Sequence, residues 1–477
     1  MQPNQPVTLD LPDHVVADAG IPHPGIPEDD AVRAATADFA TALGDVGTWE
    51  ILETVGLRTV DRGGTTVRAA AVADPRVRVE VAADQDAVLL VTDDQGVLRW
   101  VSGQHDPDAA SMTFEIAGAR LPGAPHTAGV LERGWTSVRV NVIRFIADKL
   151  VHGAMVIQEG FIHPGLVTVP ATGEDWPRFT GTITPSHAGE PATLLLLVHG
   201  IFATTGFSFK RLPTTDWGQA FLAAAHEKYD AVLGYDHRTL SVDPTTNAQE
   251  LNKALLAASS GPLVVDVIAH SRGSLVTRSL AEQVLTSTDP ITVRNVAMAG
   301  GPNAGTGMAE AHNWERFINL MTNLVAAYAA EFGLTLPEPF RLLAELVKAV
   351  VGEGTTKIPG LAAMDPDSEY LHALNRPDTD LTARYLAVAS DFEPQDAELQ
   401  QTGWKGLVLA AADFGADEIL TVANDLAVAV TSMSCINDNP LPGEDVLLLP
   451  KSLGVDHLAY FTHPEITDWI AQRFDDE

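Results

Sequence analysis

The sequence predicts an α/β chain: a doubly wound, mostly parallel sheet with a helical cap insertion, preceded by a small N-terminal β-rich domain. Three observations carry that expectation. From about residue 193 onward, short apolar runs alternate with helical patterns, as in a parallel sheet joined by crossover helices. Within that region Leu263 to Leu285, LVVDVIAHSRGSLVTRSLAEQVL, passes from a mostly β-branched run to a helical one through a turn of five residues. Before it the period is two, with Val77, Val79 and Val81 alternating with Arg78, Glu80 and Ala82, the pattern of a half-buried strand.

The turn Ala269-His270-Ser271-Arg272-Gly273 follows a strand, Leu263 to Ile268, that is apolar enough for burial on both faces. After it Leu275, Val276, Ser279, Leu280, Gln283 and Val284 fall at helical spacing. A reversal this sharp needs small residues beside its tip, and Ala269 and Gly273 supply them. This is the setting of a nucleophile elbow, with the Ser271 hydroxyl presented at the carboxyl end of the sheet. Ala269 stands where glycine is usual, and a plain Ser-Gly turn is the simpler alternative. His270 is expected to be structural, its side chain leaving on the other side of the sheet.

Upstream, the strand Thr193 to Val198 runs into His199-Gly200-Ile201-Phe202. In a serine hydrolase a backbone N–H after this strand joins the N–H of the residue after the nucleophile to hold an oxyanion. Ile201 and Arg272, with Phe202 beside them, are the candidate donors, and Gly200 permits close approach. Downstream, Asn424-Asp425 sits in a loop before an apolar run, and His457 follows the short strand Val446 to Leu449, ahead of a terminal helix Pro464 to Phe474. The order is nucleophile, acid, base. Asp391, at the end of the strand Tyr385 to Ser390, competes as the acid, and Asp413 and Asp417 stand nearby as helix-flanking carboxylates. His463 competes as the base. Ala231 to Tyr235, Asn247 to Leu256 and Val293 to Gly300 complete the alternation as strand, helix and strand.

With these pieces assembled, the chain resembles the α/β-hydrolase fold, and within it bacterial lipases and lipase-like esterases. The matching segments are VHGIF, AHSRGSLVTRSL, AGGPNAGTGMA, PGLAAMDPDSEYLHALN, RYLAVAS, NDLAVAVTSM and DHLAYF. They run in order from about Thr193 to Phe474, and the resemblance does not reach residues before about 175. It implies a Ser-Asp-His triad at Ser271, Asp425 and His457, acting on carboxylic esters through an acyl-enzyme. Two alternatives stay open: an amidase or thioesterase on the same triad, and a catalytically silent scaffold used for binding.

The stretch from about Gly305 to Leu361 interrupts the alternation with two apolar helical stripes, Phe317-Leu320-Met321-Leu324-Val325-Tyr328 and Leu342-Leu343-Leu346-Val347-Val350-Val351. It is expected to form a helical cap, with Phe317, Met321 and Leu324 lining an acyl pocket and Gly333 and Gly352-Glu353-Gly354 as hinges. The alternative is that the stripes pack on each other as a helical hairpin.

The remaining chain divides by composition. Residues 1–58 are expected to hold an extended arm and a short helix at Asp29 to Leu43; 59–135 a small antiparallel β domain, with Val88 to Val91 and Val97 to Val101 flanking the hairpin turn Asp93-Asp94-Gln95-Gly96; 136–192 a linking helix and linker; and 193–477 the catalytic domain. The linking helix rests on Val142, Ile146, Leu150 and Val151. Acidic residues outnumber basic ones 63 to 30, a net charge of −33, which repels nucleic acid and anionic lipid headgroups. The single cysteine, Cys435, excludes an internal disulfide. There is no HExxH and no recognisable ligand loop, so no metal site and no cofactor is assigned; the resemblance to lipases leaves a structural calcium at Asp438 or Asp456 open. No secretory signal or membrane-length apolar run is visible, so a cytoplasmic chain is expected; the resemblance implies a small-molecule or lipid-like ester as its partner, and the oligomeric state stays open.

Overall fold

The computed structural model describes residues 6–19, 49–60, 73–93, 96–106, 108–120, 135–146, 159, 162–332, 343, 346–347, 358–376, 381–393 and 422–475. The chain divides into two compact units: Met1–Ala154 with Trp314–Thr356 and Asp396–Gly415, and Met155–Asn313 with Lys357–Gln395 and Ala416–Glu477. The expected helix at Asp29 to Leu43, the hinge glycines 333, 352 and 354, Asp413 and Asp417 lie outside the described residues.

The described strands of the first unit are β1 (Val7–Asp10), β2 (Val15–Ala19), β3 (Trp49–Thr59), β4 (Arg76–Glu80), β5 (Gln85–Asp93), β6 (Leu98–Ser102), β7 (Gln104–Asp106), β8 (Ser111–Glu115) and β9 (Ser137–Ile146). They form two antiparallel sheets, β1-β4-β8-β7 and β2-β3-β9-β5-β6. Val77 and Val79 of β4, Phe114 of β8, Leu57 of β3, Leu89 of β5 and Val140 of β9 share one core, so the sheets pack face to face. The hairpin expected around Asp93 to Gly96 is the β5–β6 pair, with Leu90 opposite Trp100.

Two expectations change here. The part of the expected linking helix that carries Val142 and Ile146 is strand β9, paired with β3 on one side and β5 on the other, while Leu150 and Val151 lie outside the described residues. Val142 and Ile146 are four apart, and four is even, so the spacing that suggested one helical face also puts both on one face of a strand. Alternation of Val138, Val140 and Val142 was the discriminating signal. The N-terminal arm likewise contributes strands, β1 on β4 and β2 on β3.

The helix Trp314–Phe332 begins the stretch expected to be the cap, yet it belongs to the first unit. β6 is the last strand of its sheet, so the outward amides of Leu98 and Trp100 need partners. Asn319 and Asn323, one helical turn apart, provide them. Asn319 Oδ1 accepts from Trp100 N at 2.7 Å, and Asn323 accepts from Leu98 N at 3.0 Å while its amide donates to Leu98 O at 2.8 Å. Thr322 Oγ1 accepts from the Trp100 indole at 3.1 Å. The asparagine pair thus finishes the sheet edge in place of another strand.

The second unit is built on β10 (Gly165–Thr168), β11 (Ala192–Val198), β12 (Ala231–Asp236), β13 (Leu263–His270), β14 (Ile291–Ala299), β15 (Arg384–Ser390), a hairpin of β16 (Cys435–Ile436) and β17 (Asn439–Pro440), and β18 (Val446–Leu449). Its main sheet has the order β10-β12-β11-β13-β14-β15-β18, parallel except for β10. Helices α1 (Asp216–Lys228), α2 (Pro244–Ala258), α3 (Gly273–Ser279) and α4 (Pro464–Asp475) accompany it. One face of the sheet packs in a core with Leu251 and Leu255 of α2 and Val276 of α3, the other with Leu222 of α1 and Ile470 of α4. This layering and strand order, with the elbow after the fourth strand in line, is an α/β-hydrolase fold. β10 lies in the stretch expected to be linker; a four-residue antiparallel edge strand among Pro, Gly and Trp has too few residues to show a period.

Candidate functional site

β13 ends at His270, α3 begins at Gly273, and Ser271 at the tip has φ of 52°. A residue with a Cβ in this left-handed region is strained by about 1–2 kcal/mol, so its surroundings must hold it. Ser271 N donates to Ala299 O at 2.8 Å, and Ser274 N donates back to Ser271 O at 3.0 Å. The elbow also needs glycines opposite it. A Cβ on Gly200 would lie 2.7 Å from Ser271 Cβ, and one on Gly273 would lie 2.4 Å from Val198 O. Ala269, in place of the usual glycine, buries its methyl fully.

Ser271 Oγ lies 2.8 Å from His457 Nε2, and His457 Nδ1 lies 2.8 Å from Asp425 Oδ2. All three side chains are buried. Asp425 is satisfied on both oxygens: Oδ1 accepts from Ala427 N at 3.1 Å and Val428 N at 2.8 Å, and Oδ2 from His457 and from the Tyr460 hydroxyl at 2.8 Å. A carboxyl oxygen placed against Nδ1 selects the imidazole tautomer with its proton on Nδ1. Such a chain can draw a proton from the Ser271 hydroxyl and return it.

Burial first, then the Asp425 charge, pushes the Tyr460 phenol well above its usual pKa, so it stays a donor. Tyr460→Phe removes one acceptor contact of Asp425 and leaves ring packing in place. A hydrogen bond to a charged group contributes about 1.5–3 kcal/mol, so a fall in kcat on the order of tenfold is expected, with KM nearly unchanged. Steady-state kinetics across an ester panel would check this; an unchanged kcat would show that the backbone amides hold Asp425 without help.

His270 lies nearer the base than its strand position suggested. Its ring centroid is 5.4 Å from that of His457, and its Nε2–H donates to His457 O at 2.8 Å. Burial, followed by the neighbouring His457, lowers its pKa to about 3, so it is a neutral donor fastening the His457 loop. Of the rivals, Asp391 pairs with Lys451 at 3.3 Å, and it is Asp425 that meets the His457 ring. His463 lies one residue before α4, and it is His457 that meets Ser271.

The loop expected to supply oxyanion donors shows a division of labour. Phe202 has φ of 56°, and its N–H donates to Thr239 Oγ1 at 3.3 Å. That direction spends the Phe202 N–H on its own scaffold, leaving Ile201 N–H and Arg272 N–H as the expected donors. The Arg272 side chain is fully buried, donating to Gly360 O at 3.2 Å, Val242 O at 2.5 Å and Asn247 Oδ1 at 3.0 Å. Burial lowers its pKa to about 10, so it keeps its charge at neutral pH. Phe317, Met321 and Leu324 are buried on the helix Trp314–Phe332 in the first unit, while Ser271, His457 and Asp425 are in the second. Among the described residues, no His, Cys, Asp and Glu side chains gather in threes or more as a metal site would need, and no helix is long and apolar enough to cross a membrane.

A family model described as a domain of unknown function, DUF7379, matches residues 164–475, which spans the whole α/β sheet and every residue of the Ser271–His457–Asp425 chain. The chain belongs to this family. No curated protein matches it. Among solved structures the DUF7379 chain is similar to lipase 1 from Pelosinus fermentans (12% identity, 60% of this chain and 100% of that one, TM-score 0.42). It is also similar to a lipase from Staphylococcus hyicus (12% identity, 61% and 97%, TM-score 0.36) and to carboxylesterase CesB from Bacillus subtilis (11% identity, 68% and 95%, TM-score 0.34). The fold assignment rests on the strand order described above.

Proposed function

We propose that this DUF7379 protein is a serine hydrolase that cleaves carboxylic esters through an acyl-enzyme on Ser271. One observation carries the proposal: a hydroxyl on a positive-φ residue at a strand–helix turn, hydrogen-bonded to an imidazole that is itself bonded to a carboxylate, at 2.8 Å and 2.8 Å. As Ser271 Oγ attacks the carbonyl carbon, His457 Nε2 takes its proton, and the carbonyl oxygen becomes an oxyanion facing Ile201 N–H and Arg272 N–H. Asp425 keeps the Nδ1 proton in place and stabilises the imidazolium. On collapse, His457 protonates the departing alkoxide, leaving the acyl group on Ser271; water then repeats the steps and releases the acid.

A panel of p-nitrophenyl esters of increasing acyl length, alongside acyl-CoA and anilide substrates, tests the bond class. Fluorophosphonate labelling tests the nucleophile. Ester turnover with labelling at Ser271 is the expected result. Faster turnover of thioester or anilide would move the assignment to that bond, and no labelling would point to a silent binding scaffold.

A further inference from the structure

Glu159 has no part in the proposed reaction, yet its carboxylate is 1% exposed. Its Oε1 accepts from Thr239 N at 2.8 Å and Leu240 N at 2.9 Å; its Oε2 accepts from Ser241 N at 3.1 Å and from the Ser241 hydroxyl. Taking a carboxylate out of water costs several kcal/mol unless its lone pairs are met, and here consecutive backbone N–H groups of one loop meet them. Glu159 lies before residue 164, where the family match begins, so a segment outside the α/β-hydrolase sheet supplies this anchor.

The loop so anchored supports the oxyanion strand-end at two points. His237 N donates to His199 Nε2 at 3.1 Å, which fixes the neutral His199 tautomer with its proton on Nδ1. That Nδ1–H donates to Gly200 O at 2.9 Å. Because a trans peptide is planar with C=O and N–H opposed, holding the Gly200 carbonyl also directs the N–H of Ile201. The second point is Thr239 Oγ1, which accepts from Phe202 N at 3.3 Å. On its far side the same loop meets the residue after the nucleophile, since Val242 O accepts from the Arg272 guanidinium at 2.5 Å. The Ile201 peptide and the Arg272 side chain therefore both lean on residues 237–242.

We infer that Glu159 is a positioning residue for the oxyanion hole: by clamping the amides of Thr239, Leu240 and Ser241 it sets the direction of the Ile201 N–H relative to that of Arg272. This rests on the proposed serine-hydrolase chemistry. In Glu159→Gln the side-chain oxygen still accepts from two amides, but the new NH2 faces Ser241 N–H, donor against donor, and the loop must shift. Misplacing one oxyanion donor weakens the transition state and leaves substrate binding alone.

The test uses the full chain and an ester it turns over. Glu159→Gln is expected to lower kcat on the order of tenfold to a hundredfold, with KM changed by no more than about twofold. A trifluoromethyl ketone, which forms an oxyanion on the serine, is expected to bind more weakly by a similar factor, while the matching secondary alcohol, which forms none, binds as before. Thr239→Val is expected to follow the same split, and Thr239→Ser, which keeps the hydroxyl, to lose far less. Equal ketone affinity in wild type and a folded Glu159→Gln would overturn the inference. If that variant does not fold, the Thr239 pair decides, and equal losses in Val and Ser overturn it. Absence of fluorophosphonate labelling in the wild type overturns the hydrolase proposal itself and this inference with it; normal labelling with an unaffected ketone overturns only the role of Glu159.

Discussion

Ser271→Ala is expected to lower kcat/KM for an activated ester by roughly 10⁴- to 10⁶-fold, because the proposed mechanism loses its acyl-enzyme route along with the group His457 would deprotonate. The fold is expected to survive. Alanine keeps the Cβ that Gly200 makes room for, and the backbone bond from residue 271 N to Ala299 O does not involve the hydroxyl. A thermal midpoint within a few degrees of wild type should therefore accompany the loss. His457→Ala is expected to cost a similar factor, and the double variant little more, since the two act as one unit. A Ser271→Ala protein that loses less than about tenfold in rate would remove this residue as nucleophile, whatever the cause of the remaining activity.

Stability is expected to fall steeply as pH drops from about 6.5 toward 5, through three buried histidines. His199 and His237 stack at 4.1 Å with no exposed surface, and His270 lies beside His457. Burial is the largest cause in each: His199 is lowered, His237 lowered well below the ordinary value, and His270 lowered to about 3. The unfolded chain takes up protons that the folded chain refuses. Their stabilising effect is therefore complete above about pH 6.5 and is lost on acidification, at up to about 1.4 kcal/mol per pH unit for each histidine. A net charge of −33 works the other way, since acid relieves self-repulsion. The two effects separate by pH, because carboxylates titrate near about 4. Denaturant midpoints between pH 7.5 and 5.0 would show the slope. In His270→Gln, which keeps an N–H donor for His457 O but does not titrate, the slope is expected to drop by about one proton's worth. A flat profile in the wild type would show that the three rings protonate without unfolding.

Much of the second unit was legible from local signals. β11, β13, β14, β15 and β18 fall within two residues of the apolar runs that suggested them, since a buried parallel strand reads as an uninterrupted apolar run. Chain order then singled out Ser271, Asp425 and His457, and the fold brings those side chains into one hydrogen-bonded chain. Other features were not legible. Glu159 reaches Thr239 across 80 residues, and Tyr460 reaches Asp425 across 35; neither contact leaves a period in the sequence. His270 keeps the structural role expected of it, but its bond to the His457 carbonyl, 187 residues away, likewise left no local signal. β9 passed for a helix because one even spacing was weighed without the alternation around it.

The helix Trp314–Phe332 separates the two kinds of information most sharply. Its apolar stripe declares a helix with one buried face, a matter of spacing along the chain. Which surface receives that face is another matter. Asn319 and Asn323 look like ordinary polar positions until the edge amides of Leu98 and Trp100, which they accept from, stand opposite them, 219 and 225 residues away. Periodicity and turn chemistry act between neighbours and so can be read from residue order. Partners for buried amides, carboxylates and imidazoles are chosen only when distant segments meet, since an unpaired polar group in the interior costs more than any local preference can recover.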